Sequence, residues 1–233
     1  MLNGRALPAL LLLAALAPAC RKSTPTTQAP ATPLTLLFAE GWDAVVLPGA
    51  GGSQWTAPLV GGTPLAVIDT LPADGNPFPS LSVTAGPRPA TYATTAVPLA
   101  AFTAPLITLS ADIGVTAADD GSATFEVDGP AGAKATAVFD AALGRITVSI
   151  TLGGTTSSIF ALTIPVGVFH TVIFTVDAGG TAAWAVDGVV APFVSGPWPA
   201  GVLTLKLAAS FGPAGVLPAP PEFKFDNILV TTP

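Results

Sequence analysis

From residue 106 onward the chain alternates apolar with small polar residues at period two. Ile146, Val148 and Ile150 alternate with Thr147, Ser149 and Thr151. Val172, Phe174 and Val176 alternate with Thr171, Ile173 and Thr175. Leu203, Leu205 and Leu207 alternate with Thr204, Lys206 and Ala208, and Phe223 and Phe225 with Glu222, Lys224 and Asp226. Successive side chains of a strand point to opposite faces, so each run predicts a half-buried antiparallel strand. Turn residues separate the runs. Asp119-Asp120-Gly121-Ser122 lies between strands expected at 106–117 and 122–128, and residues 141–144 join 133–139 to 145–152. Gly153-Gly154 leads to 156–162, Asp177-Ala178-Gly179-Gly180 joins 168–176 to 181–186, and Asp187-Gly188 turns again directly afterwards. Glycine supplies the positive φ that tight hairpins need, and Asp caps its own turn. No stretch carries a capped 3.6-residue period. The expected class is all-β, a sandwich or barrel of a dozen or more strands.

Composition narrows this further. Half of the 233 residues are hydrophobic and 9% are charged, with 24 Gly and 25 Pro. Too little Glu, Lys and Arg is present for a coiled coil, and too much apolar residue for ordinary disorder. One Cys excludes an intrachain disulfide framework and a Cys-rich zinc site. Residues 146–169 carry no charge, yet Gly153-Gly154, four Thr/Ser residues and Pro165 interrupt them, so they do not read as a membrane helix. Aromatics are 7% of the chain, too few for the girdles of a transmembrane barrel. The net charge of −6, with scattered bases, excludes a nucleic-acid partner.

The N-terminus has its own texture. Arg5 precedes an apolar run at residues 6–19, shorter than the ~20 residues that span a bilayer. It ends in Leu16-Ala17-Pro18-Ala19-Cys20, which resembles the bacterial lipobox, although that motif usually has Leu where Ala17 stands. The resemblance implies a signal peptide at 1–19, palmitate and related acyl chains on Cys20, and attachment to the membrane through that lipid. Residues 20–33 then form a Ser/Thr/Pro-rich tether. Arg21, where inner-membrane lipoproteins carry Asp, implies the outer membrane or cell surface. The remaining residues, 34–233, are expected to form one domain.

Phe169-His170-Thr171-Val172-Ile173-Phe174-Thr175-Val176-Asp177, followed by Thr181 to Gly188 with Trp184 and Val186-Asp187-Gly188, resembles the concanavalin A-like lectin/glucanase superfamily, laminin G-like domains in particular. Phe223-Lys224-Phe225-Asp226-Asn227-Ile228-Leu229-Val230 is similar to their closing strand. Phe38-Ala39-Glu40-Gly41-Trp42 is similar to the first strand of carbohydrate-binding modules on the same jelly roll, and Asp74-Gly75-Asn76-Pro77-Phe78 to the loop that follows it. The resemblance implies a two-sheet antiparallel β-sandwich with one concave face, along which such proteins usually hold glycans.

Catalysis is not expected from the residues. Glucanases of this superfamily use a Glu-x-Asp-x-x-Glu strand whose outer acids are nucleophile and acid/base. Here Glu126-Val127-Asp128 is followed by Gly129-Pro130-Ala131, so the second Glu is absent and Pro130 ends the strand. The motif then reads as a solvent-facing strand edge. His170 is the one His and no Gly-x-Ser-x-Gly elbow exists, so His170 reads as structural.

Binding is expected instead. An indole stacks on a pyranose face. Trp198, in the rigid loop Gly196-Pro197-Trp198-Pro199, is the leading sugar platform, with Trp55 and Tyr92 after it. Trp184 and Trp42 read as core. The resemblance also implies structural Ca²⁺ between first and last strands, held by Glu40 and Asp226 with Asp43. The expected function is a non-catalytic polysaccharide- or glycan-binding lipoprotein of the bacterial cell envelope. A structural or protein-interaction domain of the envelope is the alternative, and a diverged glycan hydrolase or lyase stays open behind both.

Overall fold

The computed structural model describes residues 35–42, 53–56, 59–61, 65–69, 80–84, 92–102, 107–118, 120–192, 195–211 and 222–232. In chain order the strands are β1 (Thr35–Glu40), β2 (Leu59–Gly61), β3 (Leu65–Asp69), β4 (Ser80–Thr84), β5 (Tyr92–Phe102), β6 (Ile107–Val115), β7 (Gly121–Asp128), β8 (Lys134–Asp140), β9 (Arg145–Leu152), β10 (Thr155–Thr163), β11 (Phe169–Val176), β12 (Ala182–Val186), β13 (Val189–Val190), β14 (Gly201–Phe211) and β15 (Glu222–Thr232). Pro130–Gly132 forms a 3-10 turn between β7 and β8. The expected strands between 106 and 230 are all present, with ends shifted by a few residues.

Two antiparallel sheets result. The eight-stranded sheet runs β13-β12-β11-β6-β15-β4-β3, and β1 also pairs with β15. The seven-stranded sheet runs β10-β9-β8-β7-β14-β5-β2. Strands distant in sequence are neighbours, β6 with β15 and β7 with β14, which gives an antiparallel β-sandwich of jelly-roll type.

Alternation explains why the sheets stack. On β9, Ile146, Val148 and Ile150 are fully buried, while Thr147 and Ser149 on the other face keep some exposure. β7 sends Ala123, Phe125 and Val127 inward, and β11 sends Val172, Phe174 and Val176. Each such side chain taken out of water contributes about 1.5–3 kcal/mol for the larger residues. Trp184 of β12 is the central link. Its ring packs against Phe174 at 5.1 Å and Phe125 at 6.4 Å, and its indole N–H donates to the Ser149 carbonyl of the opposite sheet at 3.0 Å.

The β12–β13 hairpin shows local sequence deciding local structure. Val186 pairs with Val189 across Asp187 (φ 49°) and Gly188 (φ 77°). Positive φ at both central positions is the primed turn that matches strand twist, and Asp-Gly is a sequence that accepts it.

Candidate functional site

The outward face of the seven-stranded sheet is built from the residues that alternate with its core. β7 is the fourth of the seven strands, and Ser122, Thr124, Glu126 and Asp128 lie on its outward side. Register places Ile159, Ser149, Thr136, Glu126, Lys206 and Ala96 in one row across six strands. The adjoining row contains Thr151, Lys134, Asp128 and Thr204. Thr, Ser and Ala dominate both rows, and four charges stand at their centre. The Glu-x-Asp motif is therefore mid-sheet, flanked by β8 and β14, with both acids on the outward side of the strand.

The four charges form one network. Lys134 Nζ is 2.9 Å from Glu126 Oε1 and 3.6 Å from Asp128 Oδ1. Lys206 Nζ is 3.3 Å from Glu126 Oε1 and also pairs with Asp128 Oδ2. Side-chain exposure is 43% for Lys134 and 34% for Lys206, against 17% for Glu126 and 28% for Asp128. The ammonium groups thus cover the carboxylates. The hydrogen bond that Lys206 donates to Asp128 is the main cause that raises its pKa; burial opposes it and Glu126 adds to it. Exposed pairs of this kind contribute only about 0–1 kcal/mol each, so stability gives little reason to place two acids and two bases here. Two carboxyl groups facing one side are also the minimum that glycosidic-bond cleavage requires.

The position of the missing second Glu is Ala131, exposed on the 3-10 turn with φ 53°. Pro130 ends the strand as the sequence implies. Alternation places Lys206 on the polar side of its strand but does not connect it, or Lys134, with the two acids. The available signal was that four of the eight bases, Lys134, Arg145, Lys206 and Lys224, sit inside strands, where Thr or Ser would serve equally well.

The aromatic platforms are corrected. Trp198 is only 6% exposed, packed on Phe174 at 5.0 Å and over Gly129, where a Cβ would come within 2.9 Å of its ring. Trp55 is 2% exposed, with Phe38 edge-on at 5.9 Å and Trp42 at 5.9 Å. Neither presents an open face to a sugar, and the two belong to separate aromatic groups. A loop Trp next to Gly and Pro fills the space those small or rigid residues leave. Trp42 and Trp184 are buried, as expected. Tyr92 opens β5, in register with Ser210 of β14.

The strands proposed to hold calcium do pair. Glu40 stands opposite Ile228, two residues from Asp226. Glu40 Oε1 accepts the Trp42 amide at 3.0 Å, and Asp226, 1% exposed, accepts the Asn227 amide at 2.8 Å. Carboxylate oxygens suit Ca²⁺, but among the described residues no three His, Cys, Asp or Glu side chains stand close enough to hold an ion. Asp43 and Cys20 lie outside the described residues. His170 is buried and both ring nitrogens have partners, Asp187 Oδ2 at 2.6 Å and the Pro165 carbonyl at 2.7 Å.

No protein-family model matches the sequence, and no curated protein matches it. Solved structures do. An endo-1,3-β-glucanase from Streptomyces sioyaensis superposes with TM-score 0.59 at 13% identity, over 88% of this chain and 99% of that one. The laminarinase catalytic domain from Thermotoga maritima gives 0.57 at 12%, over 86% and 98%. A GlcNAcα1-4Gal-releasing endo-β-galactosidase from Clostridium perfringens gives 0.60 at 10%, over 88% and 65%. At such identities the likeness establishes the fold. All three are named as glycan-cleaving enzymes, and this overturns the expectation of a non-catalytic binding or structural module, and with it the expectation that the chain is no enzyme. The middle strand lacks the second Glu of the motif but keeps two carboxylates on its outward face.

Proposed function

We propose that this protein hydrolyses glycosidic bonds in a polysaccharide, using Glu126 and Asp128. The carrying observation is the Glu126–Asp128 pair on the central strand of a sheet whose architecture is that of glycan-cleaving enzymes. Hydrolysis breaks the bond between the anomeric carbon and the leaving oxygen; water supplies hydroxyl to the carbon and a proton to the oxygen. One carboxylate supports the positive charge that develops at the anomeric carbon, and the other relays the proton. With Ala131 in place of the outer acid, both roles fall to residues two apart on one face.

The test is release of reducing ends from a panel of β-glucans, galactans, mucin glycans and acidic polysaccharides. Release by the wild type, lost in Glu126→Gln and Asp128→Asn with circular dichroism unchanged, supports the proposal. No release from any polymer, or release undiminished in the double variant, overturns it.

Export and anchoring complete the proposal. Cys20 carries the acyl chains, and residues 20–33 tether the domain at the cell envelope; this rests on the lipobox-like sequence. Palmitate labelling that persists in Cys20→Ala removes that part. Calcium at Glu40, Asp43 and Asp226 is supported by the pairing of β1 with β15. An unchanged melting temperature in EGTA removes it.

A further inference from the structure

The lysines that cover Glu126 and Asp128 bear on which polysaccharide is taken. A ligand approaching this face meets Lys134 and Lys206 before the acids, because the ammonium groups are the more exposed members of the network. Nothing else in the two rows carries charge. Their other described side chains are Ile159, Ser149, Thr136, Thr156, Thr151 and Thr204. A neutral glycan needs no cation here; hydroxyls and carboxylates would serve it. A glycan bearing carboxylate or sulfate gains charge-assisted hydrogen bonds from both ammonium groups.

The exchange is also energetically easy. Ion pairs this open to water are weak, so a lysine that turns from Glu126 or Asp128 to a substrate anion gives up little. Turning away uncovers the two carboxylates. Binding of the anionic group and exposure of the reactive acids are then one event.

The negative net charge does not oppose this. Asp112, Asp177, Asp187, Glu222 and Asp226 all lie on the eight-stranded sheet or its turns, away from this face. On this face Lys134, Lys206 and Arg145 balance Glu126, Asp128 and Asp140. Screening over a Debye length of about 8 Å at physiological salt weakens the field of the more distant acids, so a bound ligand meets mainly this balanced set.

We infer that Lys134 and Lys206 select an anionic polysaccharide, one bearing uronate or sulfate groups, and that they uncover Glu126 and Asp128 when it binds. The inference rests on the hydrolase proposal for the site but makes a claim about binding that stands apart from cleavage.

The experiment is calorimetric titration of the full chain at low salt with oligogalacturonate, a sulfated galactan oligosaccharide and neutral laminari-oligosaccharide. The expected result is binding of one or both anionic ligands in preference to the neutral one. Lys134→Met/Lys206→Met should weaken it about tenfold or more, and arginine at both positions should restore it. Raising salt on the wild type should weaken it likewise, which covers the case in which the methionine variant does not fold. The two anionic arms separate carboxylate from sulfate. Neutral ligand bound as tightly, no binding of either anion, or binding insensitive to both salt and the lysines overturns the inference. Binding without reducing-end release leaves it standing and removes the hydrolase proposal.

Discussion

His170 Nδ1 lies 2.6 Å from Asp187 Oδ2, which joins the start of β11 to the β12–β13 turn. The other ring nitrogen meets the Pro165 carbonyl at 2.7 Å. A carbonyl only accepts, so Nε2 carries a proton. The second Asp187 oxygen accepts the Thr171 amide at 2.9 Å. His170 therefore has no free nitrogen with which to act on a substrate, and its ring is buried edge-on to Phe139 at 5.7 Å. Its role is to fix the turn.

His170→Ala is expected to cost about 2–4 kcal/mol, since it opens a cavity and leaves the Pro165 carbonyl without its donor. Asp187→Ala should cost less, with a coupling of roughly 1 kcal/mol or more between the two in a double-mutant cycle. Urea denaturation measures all four members. Additive losses would mean that the 2.6 Å contact holds nothing together.

Gly129 and Trp198 define a second test. Gly129→Ala places a methyl 2.9 Å from the indole ring, and overpacking of this kind costs about 1–3 kcal/mol. Trp198→Ala removes the ring from Phe174 and should cost about 3–5 kcal/mol. Denaturation midpoints report both. A sugar platform behaves otherwise: its loss would abolish glycan binding and leave the midpoint unchanged.

The strands and their inward faces were legible because period two is a local property. β7 and β9 bury the residues that alternation selects. Alternation does not tell what covers the opposite face. Lys224 and Asp226 read as solvent-facing partners of Phe223 and Phe225, yet each is 1% exposed. Lys224 Nζ meets Glu222 Oε2 at 3.1 Å, and Ser82 donates to the same oxygen at 3.0 Å. The candidate site was half legible. Glu126 and Asp128 announce a shared face by their spacing, but Lys206 is 80 residues away and reaches them through the pairing of β14 with β7. Sheet order is the information that a local pattern lacks.

Trp184 carries the bond between sheets, and its removal should show that. Trp184→Phe keeps an aromatic ring beside Phe174 and Phe125 but leaves the Ser149 carbonyl without its indole donor. An unsatisfied buried acceptor costs about 1–3 kcal/mol. Guanidinium unfolding is the measurement. A loss below ~0.5 kcal/mol would show that packing alone holds β12 to β9.

Asp177 gives the molecule an acid-sensitive turn. Its Oδ1 accepts the Gly179 amide at 2.7 Å and the Thr181 amide at 2.8 Å. The bond from the Thr181 amide is the largest cause that holds the carboxyl below the ordinary aspartate value of 3.8; desolvation opposes it, and Gly179, the Thr181 hydroxyl and Gly180 lower it further. A folded value below the unfolded one means that the stabilisation is fully present above pH 3.8 and is lost as pH falls through the folded value. Asp177→Ala should therefore melt below the wild type at pH 7, with faster amide exchange at Gly179 and Thr181. The two melting curves should converge as the pH drops below 3.8. A gap that widens on acidification would reverse the sign and remove the carboxylate as the cause.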